Sequence, residues 1–285
     1  MPKTYNDIFI NVRNILRDHN IEGYTLEARV IVCIASGKTG TELLRDLTLY
    51  SSPEIERAAM DMVKRRLEGE PVAYITGSWE FYGLPFYVTP DVLIPRMDTE
   101  VLVSAAIDSI SGRKMDARIL DLCCGSGCIG CAIAHELPAT RIVSVDISAK
   151  ALQVARKNAE INRVTGRMLC IQSDAMSSPP MGIGTFDLIV CNPPYIATGE
   201  LMTLDCSVRD YEPLWALDGG QDGLDFYRKI LKHWKCVLRP GGQIFFEVGE
   251  GQCESVKELL LKNGFLGVEM FKDTLGVERV VSARL

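Results

Sequence analysis

An apolar segment at residues 118–124 runs into Gly125-Ser126-Gly127 and then into a helical pattern that ends near Leu137. A strand that turns on glycines straight into a helix commits the chain to a βα unit. The texture then repeats. Residues 141–147 read as a second strand and 149–162 as a helix, with further strands at 168–173 and 186–191. Residues 224–238 read as a helix stopped by Arg239-Pro240-Gly241-Gly242. A strand at 243–248, a helix at 254–263 and a last strand at 278–284 follow. Repeated βα units with apolar strands predict an α/β fold whose parallel sheet is covered by helices on both faces.

The front of the chain has a different period. Ile8, Val12, Ile15 and Leu16 fall on one helical face, and residues 26–36 are apolar over a helical length. Ser52-Pro53 opens a helix carrying Ile55, Ala59, Val63 and Leu67, which stops at Gly69. Residues 1–75 therefore predict a small helical bundle. Residues 76–95, TGSWEFYGLPFYVTPDVLIP, mix aromatic and β-branched residues with Gly and Pro and predict a linking hairpin. Residues 96–285 form the third expected unit.

Charge and composition exclude several classes. The 285 residues are 47% apolar and 24% charged, which is a globular balance. The net charge is −6, of which residues 1–75 contribute only −1, so neither part is a basic arm made to grip phosphates. Lys64-Arg65-Arg66 predicts a solvated helix face. The longest charge-free run, residues 122–135, has 14 residues and three glycines, too short for a spanning helix of roughly 20. The opening MPKTYNDIF has no signal-peptide pattern, so a cytoplasmic protein with reduced thiols is expected. No membrane association is expected, and a monomer is. Cys123, Cys124, Cys128 and Cys131 form one short cluster rather than paired ligands on a loop, and predict small buried thiols, not a metal site.

The glycine turn predicts a ligand at the carboxyl end of the sheet, beside a helix N-terminus. The second strand reaches Asp146, 19 residues past Gly127, where a carboxylate can accept both hydroxyls of a ribose. Taken alone this is ambiguous. Gly125, Gly127 and Gly130 also spell the dinucleotide fingerprint of a dehydrogenase.

The strand at 186–191 ends in Asn192-Pro193-Pro194-Tyr195. Two prolines end the ladder and stiffen the backbone, leaving nearby carbonyls free for a ligand. The Asn192 oxygen and the Pro193 carbonyl can each accept one N–H, and Tyr195 offers a flat face. The set suits a planar group bearing an NH2.

Asp121-Leu122-Cys123-Cys124-Gly125-Ser126-Gly127, Asp146 and Asn192-Pro193-Pro194-Tyr195 together resemble the class I S-adenosylmethionine-dependent methyltransferases that act on a planar nitrogen. Gly77-Ser78-Trp79-Glu80-Phe81, the run from Leu93 to Glu100 and Gly219-Gly220-Gln221-Asp222-Gly223-Leu224 are similar to the PrmC/HemK family of release factor glutamine methyltransferases. The resemblance implies a Rossmann-like methyltransferase domain with a helical substrate-recognition front. It implies S-adenosylmethionine as cofactor and, as partner, the Gly-Gly-Gln loop of class 1 peptide chain release factors. It implies Asn192, Pro193, Pro194 and Tyr195 as catalytic and substrate-binding residues, with Asn192 also near the cofactor. Asp146 would hold the ribose, Asp174-Ala175 the adenine, and Cys123, Cys124, Gly125, Ser126 and Gly127 the methionine part. Arg96, Thr99 and Glu100 would be further cofactor-side contacts. An adenine-N6 DNA methyltransferase uses the same four-residue motif, but the acidic balance favours a protein glutamine and no direct nucleic-acid binding. Three positions depart from the family habit. Cys123-Cys124 replace the more usual Gly-Thr, Met97 replaces a proline, and Ala175 replaces a bulkier residue.

Overall fold

The computed structural model describes residues 2–112 and 116–285. By internal packing the chain divides into two compact units, residues 1–78 with 205–211, and residues 79–204 with 212–285.

The first unit is helical. Helix α1 (Tyr5–Asp18) starts at a capping box in which Thr4 and Asp7 satisfy each other's free backbone groups, and it buries Tyr5, Ile8, Val12 and Leu16. Helix α2 (Tyr24–Ser36) buries Ala28, Ile31 and Val32. Helix α3 (Gly40–Asp46) opens on a second capping box, Thr39 and Glu42, in a stretch where no helix was expected. Seven residues are too short for a periodic signal, but the cap was legible. Helix α4 (Pro53–Leu67) has proline in its first turn and buries Ala59 and Val63. Arg66 is not merely a solvated charge, because its guanidinium pairs with Glu27 of α2 at 2.7 Å. Helix α5 (Val72–Thr76) follows. The short helix at Cys206–Arg209, distant in sequence, belongs to this unit, and the Tyr211 hydroxyl donates to the Glu68 carbonyl at 3.0 Å.

The second unit begins at Trp79, inside the hairpin of β1 (Ser78–Phe81) and β2 (Leu84–Tyr87), whose turn holds Tyr82 at φ +53°. Helix α6 (Thr99–Ile110) comes next. The alternation then runs β3 (Arg118–Leu122), α7 (Cys128–Glu136), β4 (Arg141–Asp146), α8 (Ala149–Ile161), β5 (Met168–Gln172) and β6 (Phe186–Cys191). The chain closes with α9 (Asp225–His233), β7 (Leu238–Glu247), α10 (Cys253–Lys262), β8 (Leu266–Lys272) and β9 (Glu278–Arg284). The strands form one seven-stranded sheet in the order β5-β4-β3-β6-β7-β9-β8. Alternate residues of β3 enter opposite cores. Ile119 packs with α6, α7 and α8 on one face, while Leu120 and Leu122 pack with α9 and α10 on the other.

Two expectations are corrected here. The sheet is not wholly parallel, because β9 runs antiparallel to β7 and to β8. Only residues 273–277 join β8 to β9, too few for a crossover, so the pair must be a hairpin. Strand β8 itself, LGVEMFK, lies half exposed at the sheet edge, and its charged residues hide it from an apolar-run reading. The helix expected at 224–238 ends at His233, and Arg239-Pro240-Gly241-Gly242 lies inside β7. Its register against β6 jumps from Phe186↔Leu238 to Leu188↔Gln243, so this tetrapeptide bulges out and Pro240 need not donate to a ladder.

Candidate active site

The strand order reverses between β3 and β6, and a cavity of about 430 Å³ opens at their carboxyl ends. Its lining includes Cys123, Cys124, Gly125, Ser126, Asp146, Asp174, Ala175, Asn192, Pro194, Arg96 and Thr99. Gly127, Glu100, Pro193 and Tyr195 do not belong to that lining. Leu93, from the motif that runs to Glu100, also lines it, as do Asp91, Val92, Trp215 and Phe226, which no sequence motif marks.

The glycine turn is held from two sides. The Gly125 N–H donates to Asp146 Oδ2 at 2.8 Å, and the Ser148 N–H donates to Oδ1 at 2.9 Å. Each oxygen keeps a lone pair for a ligand. Burial raises the Asp146 carboxyl above the ordinary range, while these N–H groups pull it back. Cys123 takes φ +56°, so the position that lost glycine is left-handed and carries backbone strain. Gly127, at φ +76°, lies against α8. A methyl group there would stand 3.0 Å from Ala155 Cβ and 2.9 Å from Met168 Cε. Cys124, Cys128 and Cys131 are buried, as small core thiols, and Cys123 faces the cavity.

Just past the end of β5, Asp174 closes its own turn, accepting the Met176 N–H at 2.8 Å and the Ser177 hydroxyl at 2.9 Å. The buried Trp234 indole donates to the Ala175 carbonyl at 3.0 Å and holds the adjoining backbone against α9.

Asn192 leaves β6 facing the start of α6. Its Nδ2 donates to Thr99 Oγ1 at 3.2 Å. Cys191 pairs with Phe246, so the next residue of β7, Glu247, comes beside Asn192. Glu247 is 2% exposed and its Oε2 has no hydrogen-bond partner among the described residues. Burial lifts this carboxyl to about 7, opposed by hydrogen bonding from the Thr99 hydroxyl and, more weakly, from Asn192. Asp121, at the heart of β3, is fully buried. Its Oδ2 accepts the Gly130 N–H at 3.2 Å and the Ser144 hydroxyl at 3.3 Å, its Oδ1 has no partner among the described residues, and burial lifts it to about 7.

The segment after Asn192 is buttressed by the turn at residues 217–223. The Ile196 N–H donates to the Leu217 carbonyl at 3.0 Å, and the Gly219 N–H to the Ile196 carbonyl at 2.8 Å. A Cβ on Gly223 would sit 2.3 Å from the Tyr195 carbonyl oxygen, so only glycine lets the two segments close. Gln252 completes the clamp, donating to the same carbonyl at 2.9 Å. Burial pushes the Tyr195 hydroxyl well up.

The cavity's other wall is pinned by Glu212, which no motif marks, and by Trp79, while Glu100 does not serve as the expected cofactor contact. Glu212 accepts from Arg96 at 2.5 Å and from the Ile94 N–H at 3.3 Å. The Trp79 indole donates to the Pro95 carbonyl at 3.1 Å. Glu100 turns away from the cavity and accepts the Tyr82 N–H at 2.8 Å, which fixes the hairpin turn.

Residues 97–205 match the methyltransferase small domain family, and residues 7–77 match the PrmC N-terminal domain family. The release factor glutamine methyltransferase of Geobacter sulfurreducens is 41% identical, over 96% of this chain and 94% of that protein. That of Clostridium acetobutylicum is 35% identical over 97% of both. Among solved structures, a methyltransferase from Pyrococcus furiosus gives a TM-score of 0.52 at 20% identity, covering 79% of this chain and 98% of that one, a likeness of fold alone. With relatives aligned from end to end across both units, the chain belongs to the release factor glutamine methyltransferase family.

Proposed function

We propose that this chain methylates the side-chain amide nitrogen of the glutamine in the Gly-Gly-Gln loop of class 1 peptide chain release factors. The observation that carries the reading is the Asn192 side chain. Its nitrogen is engaged by Thr99, which leaves its oxygen to the cavity as an acceptor for an NH2.

The cavity residues fit S-adenosylmethionine. Asp146 offers two oxygens, each with a free lone pair, to a ribose diol. Ala175, Ile147 and Phe226 supply apolar walls for an adenine, beside Asp174. The strained turn 123–127 would hold the methionine part, and Arg96 and Thr99, also in the lining, would add cofactor-side contacts. When bound, this cofactor supplies a sulfonium methyl that an otherwise poor amide nucleophile can accept. Asn192 Oδ1 and the Pro193 carbonyl would take the two N–H groups and aim the nitrogen lone pair, and they would stabilise positive charge developing there. Pro194 would fix the turn and Tyr195 would pack on the amide. No general base is needed in the transfer step, because the N–H proton becomes acidic only once nitrogen is cationic. Residues 1–75 would recognise the release factor, 76–95 would act as hairpin linker, and 96–285 would carry the chemistry. A single chain suffices for these roles.

The decisive experiment offers labelled S-adenosylmethionine with purified release factor and, separately, with DNA. Label in the Gly-Gly-Gln peptide is expected, and label in adenine alone overturns the reading. Asn192→Ala should abolish transfer while S-adenosylmethionine affinity changes by less than about tenfold, one lost hydrogen bond being worth about 1.4 kcal/mol or less. Wild-type turnover in that variant contradicts the assignment.

A further inference from the structure

We propose that Glu247 is a positioning residue that sets, through Thr99, which way the Asn192 amide faces. The proposal rests on the methyl-transfer reading above, since it concerns the amide that would receive the substrate nitrogen.

A primary amide is nearly symmetric in shape. Rotating its end by half a turn exchanges an acceptor for a donor at almost no steric cost. For Asn192 that exchange would set an NH2 against the incoming NH2, donor against donor. Something must therefore hold the nitrogen on the inner side. Thr99 alone cannot do so, because a hydroxyl both donates and accepts and would satisfy either face of the amide. A carboxylate is different, since it only accepts. Glu247 comes beside Asn192 through the β6–β7 register and is buried at 2% exposure, and the Thr99 hydroxyl acts on its carboxyl more strongly than Asn192 does. By claiming the Thr99 proton it leaves the Thr99 oxygen only lone pairs to offer. The Asn192 Nδ2 takes one of them at 3.2 Å. The chain of donors then runs one way, from Asn192 through Thr99 to Glu247, and Oδ1 is left facing the cavity.

The arrangement carries a built-in acid limit. A protonated Glu247 can donate to the Thr99 oxygen, the Thr99 hydroxyl can then donate outward, and the reversed amide becomes equally well satisfied. This carboxyl is raised to about 7 chiefly by burial. Its charged and titratable surroundings are Asp98 beside Thr99, Arg279 of β9, Cys191 and Tyr195 around the end of β6, Tyr227 of α9 and Cys128 of α7. Arg279 favours the charged form, but it is shared with Asp98 and Asp273, each at 3.1 Å. Tyr227 donates to the Glu247 backbone carbonyl at 2.8 Å, which fixes the strand end without neutralising the side chain.

The test measures methyl transfer to purified release factor across pH for wild type, Glu247→Gln, Thr99→Val and the double variant, with S-adenosylmethionine affinity by calorimetry. Glu247→Gln should lower kcat roughly ten- to a hundredfold and leave cofactor affinity within about threefold. The acid limb centred near pH 7 in wild type should vanish in both single variants. The double variant should be no slower than the worse single one, because both break the same chain of hydrogen bonds. Wild-type kcat and an unchanged pH profile in Glu247→Gln, or losses that add in the double variant, overturn the proposal. If Glu247→Gln does not fold, Thr99→Val decides alone, and an acid limb retained there overturns it. A wild-type enzyme that leaves the release factor unlabelled would instead sink the functional reading.

Discussion

At the scale of single residues, the site is built from side chains whose hydrogen bonds are partly pre-committed. Asp146 spends one lone pair of each oxygen on the turn it faces, so it arrives at the ligand already oriented. Replacing it should do two things at once. Asp146→Ala would remove the proposed ribose acceptor and free the Gly125 and Ser148 N–H groups. The expected outcome is S-adenosylmethionine binding weakened by roughly ten- to a hundredfold in calorimetry. Unchanged affinity would remove Asp146 from the cofactor site. Asp146 and Asn192 were both visible in the sequence because each sits at the end of an apolar strand, where a polar residue has no packing reason to be. Glu247 ends a strand too, but nothing local distinguishes it from a solvated glutamate. Its meaning comes from Asn192, which lies 55 positions earlier.

At the scale of elements, turns rather than strands decide the geometry. The strand β6 delivers Asn192, but the direction of the next residues is set by the glycine turn that closes over them. Gly223 holds φ +74° with the Tyr195 carbonyl where a side chain would begin. Gly223→Ala should therefore push the Pro194-Tyr195 backbone away. Activity should fall by at least about tenfold while cofactor affinity holds, since the displaced segment is the one proposed to position the substrate amide. Stability should drop by about 1–3 kcal/mol from the strained backbone. A fully active Gly223→Ala would show that this turn does not set the site. The same logic explains the second Gly-Gly-Gln in the chain, Gly241-Gly242-Gln243. It enters a bulge of β7 at the sheet's other end and takes no part in the cavity. Edge strand β8 and helix α3 were missed because short, half-exposed elements carry too few apolar positions to show a period.

At the scale of the whole molecule, two buried carboxyls give the protein a distinctive pH response. Asp121 and Glu247 both titrate near 7 when folded, against ordinary carboxylate values near 4 when unfolded. Between those values the folded state holds more protons, so its stability is full at the acid end and is lost as pH rises through 7. Each group contributes up to about 1.4 kcal/mol per pH unit. The thermal midpoint should be several degrees higher at about pH 5.5 than at about pH 8, and Asp121→Asn should narrow that gap. A midpoint that rises across this interval, or a gap untouched by Asp121→Asn, contradicts the account. What the sequence by itself determined is the set of locally encoded parts: the helical front, the glycine turn, the acid 19 residues beyond it and the proline-stiffened strand end. Each rests on period, backbone freedom or adjacency, which a chain carries along its length. Only the tertiary structure decided which parts meet. Residues 205–211 join the first unit, Glu212 braces Arg96 from 116 positions away, and Glu247 stands behind Asn192. Those neighbours depend on strand order and register, and a hydrophobic pattern states that a residue is buried without stating beside what.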